Sequence, residues 1–322
     1  MRIAVVGAGA LGLFYGALLQ KSGEEVHFLL RRDYDAISRS GLNVFSIHGD
    51  FSLPRVRGYR TPSDIGPVDL VVVGLKTFAN GQFPELIGPL LGAKTQILTL
   101  QNGLGNEERL AELFGRDRIM GGVAYLCANR GEPGEVHHLG AGRVVLGEYQ
   151  RRDRNRLERL QEKFSRAGVE CRITDDLMRA RWEKLVWNIP FNGLCALMQQ
   201  PVKAFVRNRD SRKLVREIML EVIEAADAQE LTRPIAGRYA DQMLEFTDSM
   251  GEYRPSMQID LEQGRQLELE SIFGQPLAYG RRKGIRMPRV EMLAILLEIA
   301  TGQSVAPIET GELDNPESER SS

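Results

Sequence analysis

The sequence predicts an α/β protein with an N-terminal Rossmann-type doubly wound domain and a C-terminal all-helical domain. Three observations predict this fold class. A strand, a glycine turn, a helix and a second strand follow one another at the start of the chain. Strand-like and helix-like stretches then alternate up to about residue 174, as they do in doubly wound sheets. From residue 175 only helical periodicity remains.

The first elements are short and clearly marked. Residues 2–6 (RIAVV) form a β-branched run that is typical of a buried parallel strand. The turn GAGALG follows, and residues 13–23 then carry apolar side chains at helical spacing and stop at Gly23. Residues 25–30 (EVHFLL) are predicted to form the second strand.

Five more apolar stretches are predicted to be strands. Two of them are apolar enough to be buried, and the other three are shorter and are predicted to form a sheet edge. The buried strands are residues 68–76 and 96–100, and the edge strands are residues 119–126, 135–139 and 143–149.

The pattern changes near the pair Thr174–Asp175, which suits the N-cap of a helix. A charged amphipathic helix (153–168) and one more strand (169–174) are predicted before this point. We therefore expect a domain boundary at about residue 174. The expected parts are a cofactor-binding domain at 1–174, a helical catalytic domain at 175–307 and a disordered acidic tail at 308–322.

Composition excludes several classes of function. Of the 322 residues, 43% are hydrophobic and 26% are charged, and the formal net charge is -1. This balance does not suggest nucleic acid or an anionic membrane as a partner, and no apolar run approaches the roughly 20 residues that span a bilayer. The three cysteines are far apart and predict no metal site. We expect a cytoplasmic protein, and the sequence leaves its oligomeric state open, a homodimer included.

The glycine turn predicts dinucleotide binding. In G-x-G-x-x-G the first glycine permits the tight turn, the second lets the backbone approach a pyrophosphate, and the third lets helix and strand pack closely. The helix that follows offers free N–H groups and the positive end of its dipole to phosphate. The alternative is a turn that needs glycine only for its shape. The predicted cofactor loop consists of Gly7, Ala8, Gly9, Ala10, Leu11 and Gly12.

The end of the second strand favours NADP over NAD. NAD enzymes usually place an acidic residue there, which binds the ribose diol. Here the strand ends in Leu30, followed by Arg31 and Arg32, and a guanidinium suits a 2′-phosphate. Asp33 is the competing candidate, because its carboxylate could hold a diol instead.

Polar residues follow two of the predicted buried strands. Lys76 and Asn102 stand at the carboxyl ends of successive strands, where open α/β sheets bind their ligands. Alternatively, Lys76 is an exposed loop lysine and Asn102 is a turn former before Gly103. Cys127, in a strand near the same crevice, is expected to line the cofactor site through its backbone.

The stretch KLVWNIPFN combines one ammonium and two amides in apolar surroundings. At 3.6 residues per turn, Lys184, Asn188 and Asn192 lie along one face of a helix, and Pro190 should kink that helix. A solvated polar stripe is the alternative, but the other faces are apolar, so this helix is expected to be buried. Buried polar groups need partners, which a small anion would provide.

Six motifs in this order resemble the ketopantoate reductases (2-dehydropantoate 2-reductases): GAGALG, LKT, QNGLGN, KLVWNIPFN, PSM..D and GR..ELE...G. The resemblance runs from Met1 to about residue 300. It implies the reduction of 2-dehydropantoate to (R)-pantoate with NADPH, on the route to pantothenate and coenzyme A. It also implies an active site in the cleft between a Rossmann domain and a helical domain.

The resemblance assigns roles to individual residues. Lys184 matches the catalytic lysine, which donates the proton, and Glu268 matches a catalytic glutamate that lies near cofactor and substrate or holds Lys184. The other matches are Asn188, Asn192 and Ser256 at the substrate, Lys76, Asn102 and Glu268 at the cofactor, and Arg31 at the 2′-phosphate. Asn102 is also expected at the substrate, and Cys127 at the cofactor.

The chain departs from the family pattern at a few positions. It has ELE where the family often has EID, and Val202 and Phe273 stand where the family has asparagines. These positions are expected to lie around the pocket, where they concern the identity of the 2-oxo acid more than the reaction. The alternatives are therefore a reductase of another small 2-oxo acid or imine, and a non-enzymatic NADPH sensor.

Overall fold

The computed structural model describes residues 1–150 and 153–305. The expected acidic tail, residues 308–322, lies outside the described residues. The N-terminal part is built on one mixed sheet, whose strands are β1 (Arg2–Val6), β2 (Glu25–Leu29), β3 (Leu42–Ser46), β4 (Phe51–Leu53), β5 (Arg57–Tyr59), β6 (Val68–Val73), β7 (Leu91–Thr99), β8 (Ile119–Arg130), β9 (Glu135–Glu148) and β10 (Cys171–Ile173).

The strand order confirms the predicted fold class. Across the sheet the order is β4-β3-β9-β8-β7-β6-β1-β2-β5, and β10 also pairs with β9. All pairs from β5 to β8 are parallel, so the strand order reverses at β1 as in a doubly wound sheet. The pairs β8–β9 and β3–β4 are antiparallel.

The prediction of edge strands at 119–126, 135–139 and 143–149 is wrong. The first stretch belongs to β8, and the other two form the single strand β9, which pairs with β8, β3 and β10 in the interior of the sheet. Ala141 and Gly142 have positive φ angles of 57° and 116°, and the register of β8 against β9 shifts nearby. This bulge interrupts the alternation of side chains, which makes one strand look like two.

Helices cover the sheet and form the rest of the described chain. After β10, every regular element of the described residues is helical, and a short π-helix spans Glu270–Gly274. The α-helices are α1 (Ala10–Lys21), α2 (Tyr34–Ser40), α3 (Phe83–Ile87), α4 (Asn106–Phe114), α5 (Arg154–Arg166), α6 (Leu177–Met198), α7 (Val202–Arg207), α8 (Arg209–Asp227), α9 (Arg238–Asp248), α10 (Ser256–Glu262), α11 (Gln275–Arg282) and α12 (Pro288–Thr301).

Helix α6 connects the two halves of the chain. Its N-cap is Asp176 and not the predicted Thr174–Asp175 pair, because the Asp176 carboxylate accepts the N–H of Arg179 at 2.8 Å. Thr174 instead accepts the N–H of Asp176 through its hydroxyl, at 3.1 Å. The helix continues through Pro190 to Met198.

Separate apolar clusters stabilise the two parts. One face of the sheet packs under α1 and α5, and the opposite face packs under α3 and α4. A third cluster fills the helical part around α6 and α8. Val123 of β8 contacts Leu177 and Ala180, so the start of α6 is fixed on the sheet.

The described residues contain no helix that is both long and apolar enough to cross a bilayer. They also contain no group of three or more His, Cys, Asp or Glu side chains arranged to hold a metal ion. Cys127, Cys171 and Cys195 are free thiols.

Candidate active site

A cleft of about 950 Å³ separates the sheet from the helical part. On one side the walls come from β8, β9, the segment after β7, helix α1, the β3–β4 segment and residues 167–170. On the other side they come from α6, α9 and α10. The structure brings together at this cleft six of the residues that the sequence singled out, which are Asn102, Cys127, Lys184, Asn188, Asn192 and Ser256.

Lys184 lies in the middle of α6 and its amine points to the end of the sheet. Nζ donates to Asn102 Oδ1 and to the backbone oxygen of Ala124, both at 2.6 Å. An ammonium has three N–H donors. Among the described residues these two oxygens are its acceptors, so one donor remains for a ligand in the cleft.

The surroundings of Lys184 favour its neutral form. Burial, helped by the nearby cations Arg181 and Lys76, lowers the pKa of Lys184 from 10.5 to about 7. The carboxylate of Glu268 acts in the opposite direction and does not outweigh them. An amine with a pKa near 7 exchanges its proton readily at neutral pH, as a general acid must.

Sequence reasoning missed Arg181, one turn before Lys184. Its buried guanidinium donates to Glu107 Oε1 at 3.0 Å and to the backbone oxygen of Gln101 at 2.6 Å. These bonds fix α6 to the end of β7, next to Asn102. The only signal in the sequence was a second cation three residues before Lys184, on the same helix face.

Lys76 follows β6 and has carboxylate partners from the helical part. Its Nζ lies 2.8 Å from Asp260 Oδ2 and 3.0 Å from Glu268 Oε2. Burial alone would lower the pKa of Lys76, but the two carboxylates outweigh it and raise this pKa above the ordinary value. Asp260 also accepts from Arg265 at 2.8 Å. Lys76 is therefore a fixed cation at neutral pH.

Glu268 is buried and both of its oxygens are engaged away from Lys184. Oε2 accepts from Lys76, and Oε1 accepts the N–H of Thr77 at 3.1 Å. The hydroxyls of Thr77 and Ser271 are 2.9 Å apart beside it. Glu268 therefore contacts Lys76 and not, as was expected, Lys184. Its carboxylate acts on Lys184 by long-range electrostatics without a direct bond.

The remaining polar residues occupy the helical wall of the cleft. Asn188 and Asn192 are buried on the α6 face that carries Lys184. Asn192 Oδ1 accepts the N–H of Met257 at 3.3 Å, so this side chain also joins α6 to α10. Ser256 is the exposed first residue of α10.

The same wall is largely apolar beyond these amides. Tyr239, Met243, Phe246 and Met250 line the cleft at spacings of four, three and four residues, which places them on one face of α9 and its extension. Trp187 of α6 stands beside them, and its indole N–H donates to Thr247 at 3.0 Å. This wall offers an apolar surface next to the polar end of the cleft.

The glycine loop has the shape that a pyrophosphate requires. Gly7 has a φ of +97°, and a Cβ there would meet the N atom of Leu75 at 2.3 Å. A Cβ on Gly12 would meet the Gly7 oxygen at 2.2 Å, whereas a Cβ on Gly9 would meet nothing within 4 Å. The first turn of α1 carries no acidic side chain. The open space at Gly9 and the uncapped N–H groups fit a dinucleotide phosphate.

The candidate cofactor-binding residues at the end of β2 differ in whether their side chains are accessible to a ligand. Arg31 and Arg32 are exposed. Asp33 is 2% exposed, and its carboxylate accepts from the Arg130 guanidinium and from the N–H of Gly134. Asp33 is therefore occupied within its own chain, while the two arginines are accessible to a ligand.

The departures at Val202 and Phe273 do not line the cleft as expected. Both side chains are fully buried in the apolar cluster of the helical part. Phe273 lies close to Gly193, where a Cβ would meet its ring at 3.1 Å. Both residues belong to the core next to α6 and not to the cleft walls.

Known protein families and solved structures resemble this chain over most of its length. The family model of ketopantoate reductase PanE/ApbA matches residues 3–151, and the model of its C-terminal part matches residues 176–300. A 2-dehydropantoate 2-reductase of Nostoc sp. is 39% identical over 317 residues, which are 97% of this chain and 98% of the relative.

Two solved structures agree with this similarity over their whole length. The 2-dehydropantoate 2-reductase of Geobacter metallireducens is 70% identical with a TM-score of 0.93, and the match covers 94% of this chain and 100% of that one. The enzyme of the same name from Methylococcus capsulatus is 30% identical with a TM-score of 0.84, and the match covers 94% and 99%.

Proposed function

The chain belongs to the ketopantoate reductase PanE/ApbA family, and we propose that it reduces 2-dehydropantoate to (R)-pantoate with NADPH. One observation carries the proposal. The cleft holds an amine with a pKa of about 7, Lys184, beside neutral polar groups that suit a small 2-oxo acid. In this proposal the enzyme works in the cytoplasm, on the route to pantothenate and coenzyme A.

Lys184 performs the acid step of the reaction. The nicotinamide, when bound, supplies a hydride to C2 of the 2-oxo acid. The electron pair of the C=O bond then moves to the oxygen, which takes the proton of Lys184 and becomes the hydroxyl of the product. The neutral amine that remains regains a proton from water in the open cleft. Asn102 and the Ala124 oxygen hold Nζ while its third donor faces the substrate oxygen.

The helical wall binds the rest of the substrate. Asn188 and Ser256 donate neutral hydrogen bonds to the carboxylate and the terminal hydroxyl, and Asn192 supports them through its bond to α10. The dimethyl carbon of 2-dehydropantoate packs on the apolar wall next to Trp187. Lys76 and Glu268 form the nicotinamide end of the site, where their ion pair keeps both side chains in place.

The glycine loop, Cys127 and Arg31 would hold the cofactor. The pyrophosphate fits the space at Gly9, and the backbone of Cys127 lines the cleft. NADPH is preferred over NADH because Arg31 is accessible to a 2′-phosphate, while the acidic candidate for a ribose diol, Asp33, is already engaged by Arg130.

A matched pair of variants tests the choice of cofactor. Arg31→Ala should raise the KM for NADPH about 10- to 100-fold, since a charge-assisted bond to phosphate is worth about 1.5–3 kcal/mol. The KM for NADH should stay within about twofold. Arg32→Ala, the adjacent exposed arginine, is the control and should change neither value by that factor. If Arg31→Ala raises the KM for NADPH and for NADH equally, Arg31 does not bind the 2′-phosphate.

The substrate is tested by following NADPH oxidation at 340 nm. 2-Dehydropantoate should turn over fast with NADPH, while pyruvate and 2-oxoisovalerate, which lack its terminal hydroxyl, should be poor substrates. Fast turnover of another acid and not of 2-dehydropantoate would overturn the named substrate while leaving the reaction class in place.

A second candidate is a reductase of a bulkier 2-oxo acid. The observation in its favour is the size of the cleft, about 950 Å³, together with the apolar face of Tyr239, Met243 and Phe246. A panel of branched and aromatic 2-oxo acids separates the two candidates by kcat/KM. Tight NADPH binding without turnover of any member would instead indicate a sensor.

A further inference from the structure

The cleft contains an arginine to which the reaction described above gives no role. Arg143 of β9 is exposed and lines the cleft together with Lys184. It pairs in register with Tyr125 of β8, so the two side chains stand on the same face of the sheet. Tyr125 and Val145, two residues further along β9, pack against the start of α6. Arg143 therefore faces the helix that carries Lys184.

The guanidinium of Arg143 lies over the ring of Tyr125, with 4.3 Å between its Cζ and the ring centre. The amine of Lys184 lies 5.9 Å from the centre of the same ring. Stacking on an aromatic ring holds an arginine in place and leaves its N–H donors free. Both cationic side chains therefore border one small region of the cleft, and the N–H groups of Arg143 point to no competing use of their charge.

The carboxylates of the cleft have other partners. Three acidic side chains line it, and each forms an ion pair with a cation that is not part of the cleft wall. These pairs are Glu170 with Arg172 and Glu183 with Arg179, at 2.6 and 2.7 Å, and Glu252 with Lys203, while the second arginine of the cleft, Arg254, pairs with Glu262 at 2.7 Å. Among the described residues no carboxylate forms an ion pair with Arg143. The positive charge of Arg143 is consequently available to a ligand.

The two lysines near this region cannot serve as a lasting counter-charge for an anion. Lys76 is neutralised by the carboxylates of Asp260 and Glu268. Lys184 becomes neutral when it gives its proton to the substrate oxygen, and its pKa is about 7 even before that step. A guanidinium keeps its proton in proteins. Because the carboxylate of a 2-oxo acid stays charged throughout the reduction, a group such as Arg143 is the partner it requires.

We propose that Arg143 is a substrate-binding residue that holds the carboxylate of the 2-oxo acid and makes the site specific for anions. The inference rests on the proposed reductase function. A guanidinium presents parallel N–H groups that match the two oxygens of a carboxylate. Asn188 and Ser256 carry no charge, so they orient the substrate without distinguishing a carboxylate from an amide by its charge. The carboxylate lies beside Tyr125 in this arrangement, with the carbonyl oxygen at Lys184.

Calorimetric titration with a matched pair of ligands tests the proposal. The ligands are (R)-pantoate and (R)-pantoamide, which have nearly the same shape and differ in the charge of one group. With saturating NADP⁺, the native chain should bind pantoate about 10- to 100-fold more tightly than the amide, as expected for a charge-assisted hydrogen bond. Arg143→Gln should bind the two ligands equally, within about twofold. Arg143→Lys, which keeps the charge without the fork, should still prefer pantoate.

Lys21→Gln is the matched control. Lys21 also lines the cleft and also lies over an aromatic ring, 4.2 Å from the centre of Phe51. The variant removes the same charge from a different part of the cleft, where the ring of Tyr125 is not the neighbour. It should keep the native preference for pantoate, which separates a direct contact at Arg143 from the general field of the cleft.

Steady-state kinetics separates substrate binding from the chemical step. With the 2-oxo acid that the native chain reduces fastest, Arg143→Gln should raise the KM for that acid about 10- to 100-fold and leave kcat within about threefold. The KM for NADPH should stay within about twofold. Circular dichroism checks that the variants are folded, which is expected because Arg143 is exposed.

The outcomes distinguish this proposal from the reductase function itself. A preference for pantoate that survives Arg143→Gln, or that is lost in Lys21→Gln, would overturn the role of Arg143. So would a native chain that binds both ligands equally, or a KM for the 2-oxo acid that Arg143→Gln leaves unchanged. A chain without turnover whose calorimetric preference still depends on Arg143 would contradict the reductase function and support the carboxylate site.

Discussion

Two lysines that lie near each other have opposite acid–base properties. Lys76, at the end of β6, lies within 3.0 Å of carboxylate oxygens of Asp260 and Glu268, and its pKa is raised. Lys184, in the middle of α6, has two neutral oxygens as its direct partners among the described residues, and its pKa is lowered to about 7. The same side chain is therefore a permanent cation at one position and an amine that exchanges its proton near neutral pH at the other.

The difference lies in the partners and not in burial alone. Both amines lose hydration, which lowers the pKa of each. The carboxylates restore the charged form of Lys76, whereas Asn102 and the Ala124 oxygen carry no charge that could do so for Lys184. Neutral acceptors position the amine without stabilising its proton, and this is what a proton donor at neutral pH requires.

The largest expected effect comes from removing each amine in turn. Lys184→Met should lower kcat about 100- to 10,000-fold, the usual contribution of a general acid. Lys76→Met should lower it only about tenfold, because it loses the positioning of Glu268, worth about 1.5 kcal/mol. Steady-state kinetics with NADPH binding followed by fluorescence measures both. Equal losses would mean that the two lysines share one role.

The second-largest effect is expected from a variant that gives Lys184 a carboxylate partner, as Lys76 has. Asn102→Asp places a carboxylate where Oδ1 now lies, 2.6 Å from Nζ. An adjacent opposite charge should raise the pKa of Lys184 by about 1–3 units. The fall of kcat/KM at alkaline pH should move upward by the same amount. Asn102→Ala removes the amide without adding charge and is the control. If the pH profile of kcat/KM in Asn102→Asp is unchanged, its alkaline decline does not report the titration of Lys184.

The smallest effect concerns stability. The pKa of Lys184 is about 7 in the folded chain against 10.5 for an ordinary lysine, so the folded state binds this proton more weakly. The charged amine therefore opposes folding below pH 7, and this cost fades as the pH rises toward 10.5. Urea unfolding should show Lys184→Met to be more stable than the native chain at pH 6, by roughly 1–4 kcal/mol.

The pH dependence of that difference separates charge from contact. The lost hydrogen bonds to Asn102 and Ala124 affect Lys184→Met at every pH, whereas the cost of the charge does not. The stability advantage of Lys184→Met over the native chain should shrink between pH 6 and pH 10. If the difference in the free energy of unfolding is the same at every pH, the effect of Lys184→Met comes from packing and not from the charge.

The sequence predicted the parts whose signals are local. The glycine loop, the strands β1, β2, β6 and β7 and the helical second half are each marked by a short pattern of residue types. Strands β3, β4 and β5 are only three to five residues long and are stabilised by pairing with distant strands, so no local pattern marks them.

The candidate site was predicted as a set of residues but not as a network. Lys184, Asn102, Asn188 and Ser256 were all named from the sequence, and the structure brings them to one cleft. The pairing of Lys76 with Asp260 was not predicted, because Asp260 is 184 residues away and many acidic residues lie near it in the chain. The charge state of an amine depends on such distant partners, which spacing does not encode.

The most direct test of the account is the pH dependence of kcat/KM for 2-dehydropantoate, measured from pH 5.5 to 9.5 at saturating NADPH. Because Lys184 must carry its proton to donate it, activity should be constant at low pH and fall about tenfold per pH unit above a midpoint near pH 7. A profile that stays flat to pH 9.5 would show that the donor keeps an ordinary lysine pKa, or that Lys184 is not the donor.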